Sequence, residues 1–400
     1  MQNFQELKLN PSLNASLIKM KFDTPTPIQI KSIPLILEKK DILASAQTGT
    51  GKTAAFCIPM IELIAQKKTK KAIILVPTRE LAKQVNDVIE KLLFQQSVIK
   101  SVCLVGGEPM NKQLKRLKSG PQIIVGTPGR VNDHLKRKSL ILHHVDLLIL
   151  DEMDRMLDMG FSIQIDEIIK FLPKEKQTLM FSATLNREVM ALADEHIGQY
   201  DVIDVAKEKV ELTHITQQLF YVSKRNKIQL LKDHIKQGPA LQTLIFTRTK
   251  HGADQLSKLL IDMHLKVAVI HGNKSQHQRL RALQGFKANK YEFLIATDVA
   301  ARGLDIPALP RIINYDVPEQ ADAYIHRMGR TGRAGLSGNV YTYCSKEERL
   351  LLKPIFKELE APLVSTNHPY EEIVEVKKPQ TRPFAKKQGV YKNRLSGRKR

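Results

Sequence analysis

Long hydrophobic runs are missing from this 400-residue chain. No stretch approaches the roughly 20 uninterrupted apolar residues that a membrane-spanning helix requires. The opening segment, MQNFQELKLN, also lacks the basic-then-apolar pattern of a secretory signal, so the expected location is cytoplasmic. Cysteine is scarce. Cys57, Cys103 and Cys344 stand far apart with no CxxC pair, which argues against a zinc site or a disulfide framework and for small buried hydrophobes. Acidic residues are in deficit, with 41 Asp and Glu against 63 Lys and Arg and a net charge of +22. Such a balance calls for a polyanion partner, because neutralising phosphates supplies most non-specific nucleic-acid affinity. Residues 377–400 hold ten of the basic residues and no acid, so setting those ten against the total of +22 leaves +12 on the rest. Basic character therefore belongs to the body of the chain as well as to its end.

A hydrophobic content of 42% over 400 residues is enough for two domains, each with its own core. Short β-branched runs alternate with longer stretches of helical period. In the first half the expected strands are Ala72–Val76, Val102–Val105, Gln122–Val125, Leu147–Leu150 and Thr178–Phe181. In the second half they are Thr243–Phe246, Val267–Ile270, Glu292–Ala296, Arg311–Asn314 and Val340–Tyr343. Near-continuous apolar strands separated by helices imply parallel sheets covered on both faces, an α/β fold. The expected organisation is a first domain over 1–203, a polar linker over 204–213, a second domain over 214–363 and a disordered basic tail over 364–400.

Chemistry concentrates first in Ala46–Gln47–Thr48–Gly49–Thr50–Gly51–Lys52–Thr53. Glycines let the backbone curl so that its N–H groups face phosphate oxygens, and a helix starting near Thr53 adds its dipole. Lys52 can reach the β- and γ-phosphates, and the Thr53 hydroxyl can hold Mg²⁺. The general phosphate-loop pattern has Gly where Ala46 stands. Val145–Leu150 then reads as a buried strand that delivers Asp151 and Glu152 at its carboxyl end, where ligands sit in open α/β sheets. Asp151 would enter the Mg²⁺ shell, and Glu152 would orient or deprotonate the attacking water.

Asp151–Glu152–Met153–Asp154 and the phosphate loop are accompanied, in order, by further segments. These are PTPIQ ending at Gln29, PTREL (Pro77–Leu81), Gly106–Gly107, TPGR (Thr127–Arg130) and Ser182–Ala183–Thr184. The second half adds IFTRT (Ile245–Thr249), Gln276 with Arg279, ATDVAARGLD (Ala296–Asp305) and HRMGRTGR (His326–Arg333). In this set and order the chain resembles the DEAD-box branch of helicase superfamily two, the ATP-dependent RNA helicases of bacterial type. Met153 stands where the family has Ala, flanked by the residues that carry the chemistry, so it should change packing rather than remove a ligand.

The resemblance implies two tandem RecA-like domains with ATP and Mg²⁺ between them. It implies that Gln29 reads adenine through its amide, and that Phe22 stacks on the base with Phe4 behind it. Lys21 takes the place of the usual Gly before that aromatic. Asp305 would meet the ribose or help close the cleft. Arg330 and Arg333 would reach across the cleft as arginine fingers, which makes hydrolysis conditional on closure. Ser182 and Thr184 would couple the acidic tetrad to RNA, with Asp154 and His326 as partners. Thr78, Arg79, Gly107, Thr127 and Arg130 would line the RNA path on the first lobe, with Thr297, Arg279 and Gly272 on the second. Hydroxyls, backbone N–H groups and arginines suit phosphates and sugars, so that grip should be largely independent of sequence. RNA is thus the expected partner, with ribonucleoproteins or ribosome precursors behind it, and the basic tail would tether it. The alternative is an RNA-binding remodelling scaffold with weak or no ATPase.

Overall fold

The computed structural model describes residues 3–46, 49–94, 98–205, 215–236, 241–301, 306, 309–332, 337–359 and 363–371. Seven strands build the first sheet: β1 (Ile42–Ser45), β2 (Ala72–Leu75), β3 (Ser101–Leu104), β4 (Ile123–Gly126), β5 (Leu147–Leu150), β6 (Gln177–Ser182) and β7 (Asp201–Asp204). Seven more build the second: β8 (Ile215–Tyr221), β9 (Thr243–Phe246), β10 (Val267–Ile270), β11 (Phe293–Ala296), β12 (Arg311–Asn314), β13 (Gly338–Cys344) and β14 (Val364–Ser365). The spatial orders are β3-β4-β2-β5-β6-β1-β7 and β10-β11-β9-β12-β13-β8-β14. Counted from the first strand of each sheet, these are the same order. The chain therefore folds the same α/β domain twice in tandem, with every ladder within the two sheets parallel.

Alternation along each strand divides the core. In the first lobe Ile42, Ile74, Val125, Ile149 and Phe181 face one helical layer, while Leu43, Ile73, Leu75, Leu148, Leu150 and Met180 face the other. The second lobe repeats this with Leu244, Phe246, Leu294 and Ile312 on one side and Ile245, Ile295, Ile313 and Tyr343 on the other. Each such aliphatic side chain contributes about 1.5–3 kcal/mol when fully buried. A parallel sheet covered on both faces follows from the near-continuous apolar runs that mark its central strands. Cys57, Cys103 and Cys344 are all buried and none forms a disulfide, and burial pushes the Cys103 thiol up to about 12. Among the described residues no helix is long and apolar enough to cross a membrane.

Every expected strand is present with its ends moved by at most two residues, and four strands are added: β1 and β8 inside the sheets, β7 and β14 at their edges. β7 is half-exposed and β14 is exposed on both residues. Edge strands of that kind carry no continuous apolar run and so leave little trace in the sequence. Asp204, read as the first residue of the linker, is the last residue of β7 and pairs with Ser45. Residues 364–371, read as the start of the tail, pack against the second sheet. Val364–Ser365 pairs with Gln218–Leu219, Thr366 N donates to Leu219 O, and Glu371 bridges to Val222. The physical reason is the repeated topology: β14 covers the open edge of β8 as β7 covers that of β1. Residues 206–214 and 372–400 lie outside the described residues.

Candidate active site

β1 ends in the phosphate loop and the helix Lys52–Ala65 follows it. Gly49 and Gly51 have φ of 90° and 91°, a left-handed conformation that a Cβ disfavours. A Cβ at Gly51 would also lie 2.5 Å from Gln29 Nε2, so that glycine is required twice over. Lys52 is buried, and its Nζ has no hydrogen-bond partner among the described residues. Thr53 follows it, half-buried, in the first turn of that helix. Gln47 and Thr48 lie outside the described residues. A buried ammonium without hydrogen-bond partners is costly, and although the carboxylates of Asp151 and Glu152 feel its charge, an anion would satisfy its N–H groups.

The end of β5 carries the acids. Asp151, Glu152 and Asp154 are all buried. Burial pushes the Asp151 carboxyl up to about 6 against the opposing pull of Lys52. Burial acts the same way on Glu152, but Arg155, Lys52 and Arg330 outweigh it and hold that carboxyl below its usual range. Glu152 itself is left-handed, at φ 54°, and ion-pairs with Arg155 one turn on. Asp154 connects the tetrad to the end of β6: its Oδ2 accepts from Ala183 N at 3.2 Å and from Thr184 Oγ1 at 3.3 Å. Its own N donates to Ser182 Oγ at 3.3 Å. Met153 points the other way, fully buried among Leu150, Met156, Met180 and Val189. It is a core side chain, as expected of a change in packing.

On the nucleotide side, Phe22 meets Phe4 edge-on at 6.1 Å between ring centroids. Lys21, the residue in place of a glycine, does adopt the left-handed conformation, at φ 57°. Gln29 is already engaged within the protein: its Oε1 accepts from Thr26 N at 2.9 Å and its Nε2 donates to Gly51 O at 3.1 Å. One N–H and one lone pair remain for a base. Asp305 and Arg333 lie outside the described residues.

The expected RNA path of the first lobe comes together at the carboxyl ends of β2, β3 and β4. Thr78 caps the helix Arg79–Leu92, accepting from Leu81 N at 3.3 Å. The Arg79 guanidinium lies flat against Gly106 and Gly107, where an added Cβ would sit 2.8 Å and 2.5 Å from its nitrogens. Gly107 has φ 78°. Thr127 precedes the helix Pro128–Lys136, and Arg130 Nη1 donates to Glu108 O at 3.3 Å, while its Nε has no hydrogen-bond partner among the described residues. In the second lobe Thr297 is buried ahead of the helix Asp298–Ala301, and Gly272 faces open space.

Arg279, expected on the RNA path, stands where the two lobes meet. Its Nη2 donates to Ala300 O at 3.3 Å and stands 2.8 Å from Glu80 Oε1 of the first lobe. The approach is close but out of line for a hydrogen bond, since Glu80 Oε1 has no properly directed donor. The two lobes thus meet in a nearly buried ion pair. Arg330 also reaches from the second lobe, its charge bearing on Glu152. His326 lies on the same segment, in the helix Ala321–Met328.

Three residues were not singled out from the sequence. Glu80 lies within PTREL and Arg155 follows the acidic tetrad, and neither was given a role. Arg327 sits inside HRMGR between two residues that were chosen. It is fully buried, ion-paired through both Nε and Nη2 with Asp298 at 2.6 and 2.7 Å. Its Nη1 donates to Asn314 Oδ1 and Asp316 O, and the guanidinium lies 4.8 Å from the Phe246 ring centroid. It ties ATDVA, HRMGR and the end of β9 into one rigid unit.

Comparison with known proteins agrees with this arrangement. A family model described as DEAD/DEAH box helicase matches residues 26–192, and one described as helicase conserved C-terminal domain matches 226–335. ATP-dependent RNA helicase CshA of Listeria monocytogenes is 43% identical over 351 residues, covering 87% of this chain and 67% of that one. The structure of S. cerevisiae Dbp5 bound to RNA and ADP BeF3 superposes with a TM-score of 0.82 at 31% identity, over 92% of this chain and 96% of that one. A DEAD box protein from Methanococcus jannaschii is 39% identical over 92% of this chain and 99% of its own, with a TM-score of 0.54. The chain belongs to the DEAD/DEAH box helicase family.

Proposed function

We propose that the chain is an ATP-dependent RNA helicase whose RNA-stimulated ATPase is completed only when both lobes meet. The observation that carries this reading is the joint site. Lys52, Asp151 and Glu152 come from one lobe, and the charge of Arg330 arrives on Glu152 from the other. The disposition of the lobes supports the closed form. The superposition is far better with the relative bound to RNA and ADP BeF3 than with a relative of higher identity.

In this mechanism Gly49, Thr50 and Gly51 present backbone N–H groups to the phosphates, with Gln47 and Thr48 in the same loop, and Lys52 neutralises them. The buried Lys52 ammonium, which has no hydrogen-bond partner among the described residues, and the adjoining carboxylates fit a nucleotide with its divalent ion. Thr53 and Asp151 would hold Mg²⁺, which when bound spreads the charge of the phosphoryl group being transferred. Glu152, shared with Arg155, is suited to orient the attacking water by accepting its hydrogen bond. Arg330 and Arg333 stabilise the developing charge, a contribution on the order of 10³–10⁵ in rate for such fingers. Phe22, Gln29 and Asp305 hold base and ribose.

Thr78, Arg79, Gly107, Thr127 and Arg130 grip the RNA backbone on the first lobe, with Thr297 on the second. Ser182 and Thr184, bonded to Asp154 and backed by His326, transmit the state of the site to that grip. Closure on a bent strand cannot accommodate an A-form duplex, so a few base pairs open locally, and hydrolysis resets the open state. Arg279 acts here as a latch onto Glu80 rather than as an RNA ligand. Structured RNA within ribonucleoproteins is the natural class of target.

The decisive experiment is ATP hydrolysis with and without single-stranded RNA, beside Glu152→Gln. Strong RNA stimulation that disappears in the variant supports the motor, and a short tailed duplex then tests unwinding. Hydrolysis absent under both conditions returns the reading to an RNA-binding scaffold.

A further inference from the structure

Behind the Gly106–Gly107 loop runs a buried polar chain that the proposed mechanism leaves unused. Gln113, on the helix Met110–Leu117, and His134, on the helix Pro128–Lys136, are both completely buried. Gln113 Nε2 donates to Val105 O at 2.8 Å, and Gln113 Oε1 faces His134 Nε2 at 3.0 Å. His134 Nδ1 faces Ser139 Oγ at 2.9 Å, and that hydroxyl also lies 3.0 Å from His134 O. The direction of the chain follows from what each group can do. A carbonyl only accepts, so the Gln113 amide nitrogen faces Val105. Its oxygen then faces His134, which must carry its proton on Nε2 and accept at Nδ1. Burial, then the Arg130 charge, hold the His134 imidazole below its usual range, which keeps it neutral. The single Ser139 hydroxyl proton then serves Nδ1, and His134 O accepts from Ser139 N at 2.9 Å, so each member keeps a partner and avoids a desolvation cost.

The position of the chain gives it a use. Val105 O, at one end of the glycine loop, is held through Gln113 by His134. Glu108 O, at the other end, is held by Arg130 Nη1 at 3.3 Å. His134 and Arg130 are four residues apart and so lie on one face of one helix. A single helix thus grips both ends of the loop against which Arg79 rests. We propose that Gln113 and His134 are positioning residues for the RNA grip of the first lobe. They set the spacing between the Gly106–Gly107 loop and the TPGR helix. Without them the loop's N–H groups and the two arginines no longer match successive phosphates. This inference rests on the reading that this face takes RNA.

Steady-state ATP hydrolysis of the full chain, titrated with single-stranded RNA, tests it in Gln113→Met, His134→Ala and His134→Gln, beside Arg130→Ala. Losing one buried hydrogen bond should raise the half-saturating RNA concentration about tenfold in the first two variants. The KM for ATP should stay within about twofold of wild type, since such a change removes no uniform nucleotide binding. His134→Gln, which restores a donor at the Nε2 position, should recover most of the RNA affinity. Should His134→Ala fail to fold, Gln113→Glu replaces it: that carboxylate cannot donate to Val105 O and should weaken RNA where His134→Gln does not. Unchanged RNA half-saturation in folded variants overturns the proposal. So does an equal rise in the KM for ATP, which would make the chain a general prop for the lobe. If Arg130→Ala weakens RNA while the Gln113 and His134 variants do not, this inference alone fails. If RNA does not stimulate the wild type at all, the underlying reading fails.

Discussion

Removing the charge of Glu80 should uncouple the two ligands without damaging either binding site. At 2.8 Å, two unit charges attract by ~6 kcal/mol with an effective dielectric of ~20. Closure must first strip water from both groups, and Glu80 and Arg279 are both largely buried in the closed form. The desolvation cost cancels much of the attraction and leaves about 1–3 kcal/mol in favour of closure. That range corresponds to a coupling of about 5–150-fold between sites. The measurement is the KM for ATP, with and without saturating RNA, in Glu80→Gln, Arg279→Gln and the double variant. Either single change should leave the RNA-free value nearly unaltered and reduce the RNA-dependent tightening by about tenfold. The double variant should be no worse than the singles, because both remove the same contact. The opposite assignment, Arg279 as a direct RNA ligand, makes a different forecast. Arg279→Gln alone would then weaken RNA even without ATP, and Glu80→Gln would bind RNA normally. That pattern, or strictly additive singles, refutes the latch.

Other positions have equally concrete consequences. Gly51→Ala forces a Cβ into left-handed backbone and against Gln29, and fluorescent-nucleotide titration should show ATP affinity falling about 5–30-fold, the size expected of about 1–2 kcal/mol of strain. Lys21→Gly relieves the strain of a side chain at φ 57°; scanning calorimetry should show the first lobe melting about 2–4 °C higher if roughly 1 kcal/mol is recovered. Met153→Ala makes the tetrad match the family at its third position but opens a cavity beneath it. Chemical denaturation should show a loss of about 2–4 kcal/mol, with kcat for ATP hydrolysis unimproved.

Central strands were legible from the residues because a strand buried on both faces must be apolar at nearly every position. Ile73, Ile74 and Leu75 show this in β2, as do Leu147–Leu150 in β5. The phosphate loop was legible for a different reason: backbone curvature demands glycine, and Gly49 and Gly51 do adopt positive φ. Lys21 marks the limit of that inference, since a non-glycine residue can occupy the same conformation. Of the four strands not expected, β7 and β14 lie at sheet edges, where one polar residue in two is tolerated, while β8 (ITQQLFY) is internal but interrupted by its polar TQQ and β1 is only four residues long. The extent of the second lobe was therefore underestimated, with residues 364–371 assigned to a tail although they close the edge beside β8.

By itself the sequence determined the chemistry on offer: a phosphate loop, a pair of carboxylates after a buried strand, arginines in a fixed spacing, and a basic surface. These are local properties, set by backbone geometry and by residue type within a few positions. Tertiary structure decided which charges meet. Arg327 fastens Asp298 rather than a ligand, and Arg279 faces Glu80 of the other lobe. No pattern along the chain specifies those partners, because an ion pair depends on distances in space that only the two folded sheets establish.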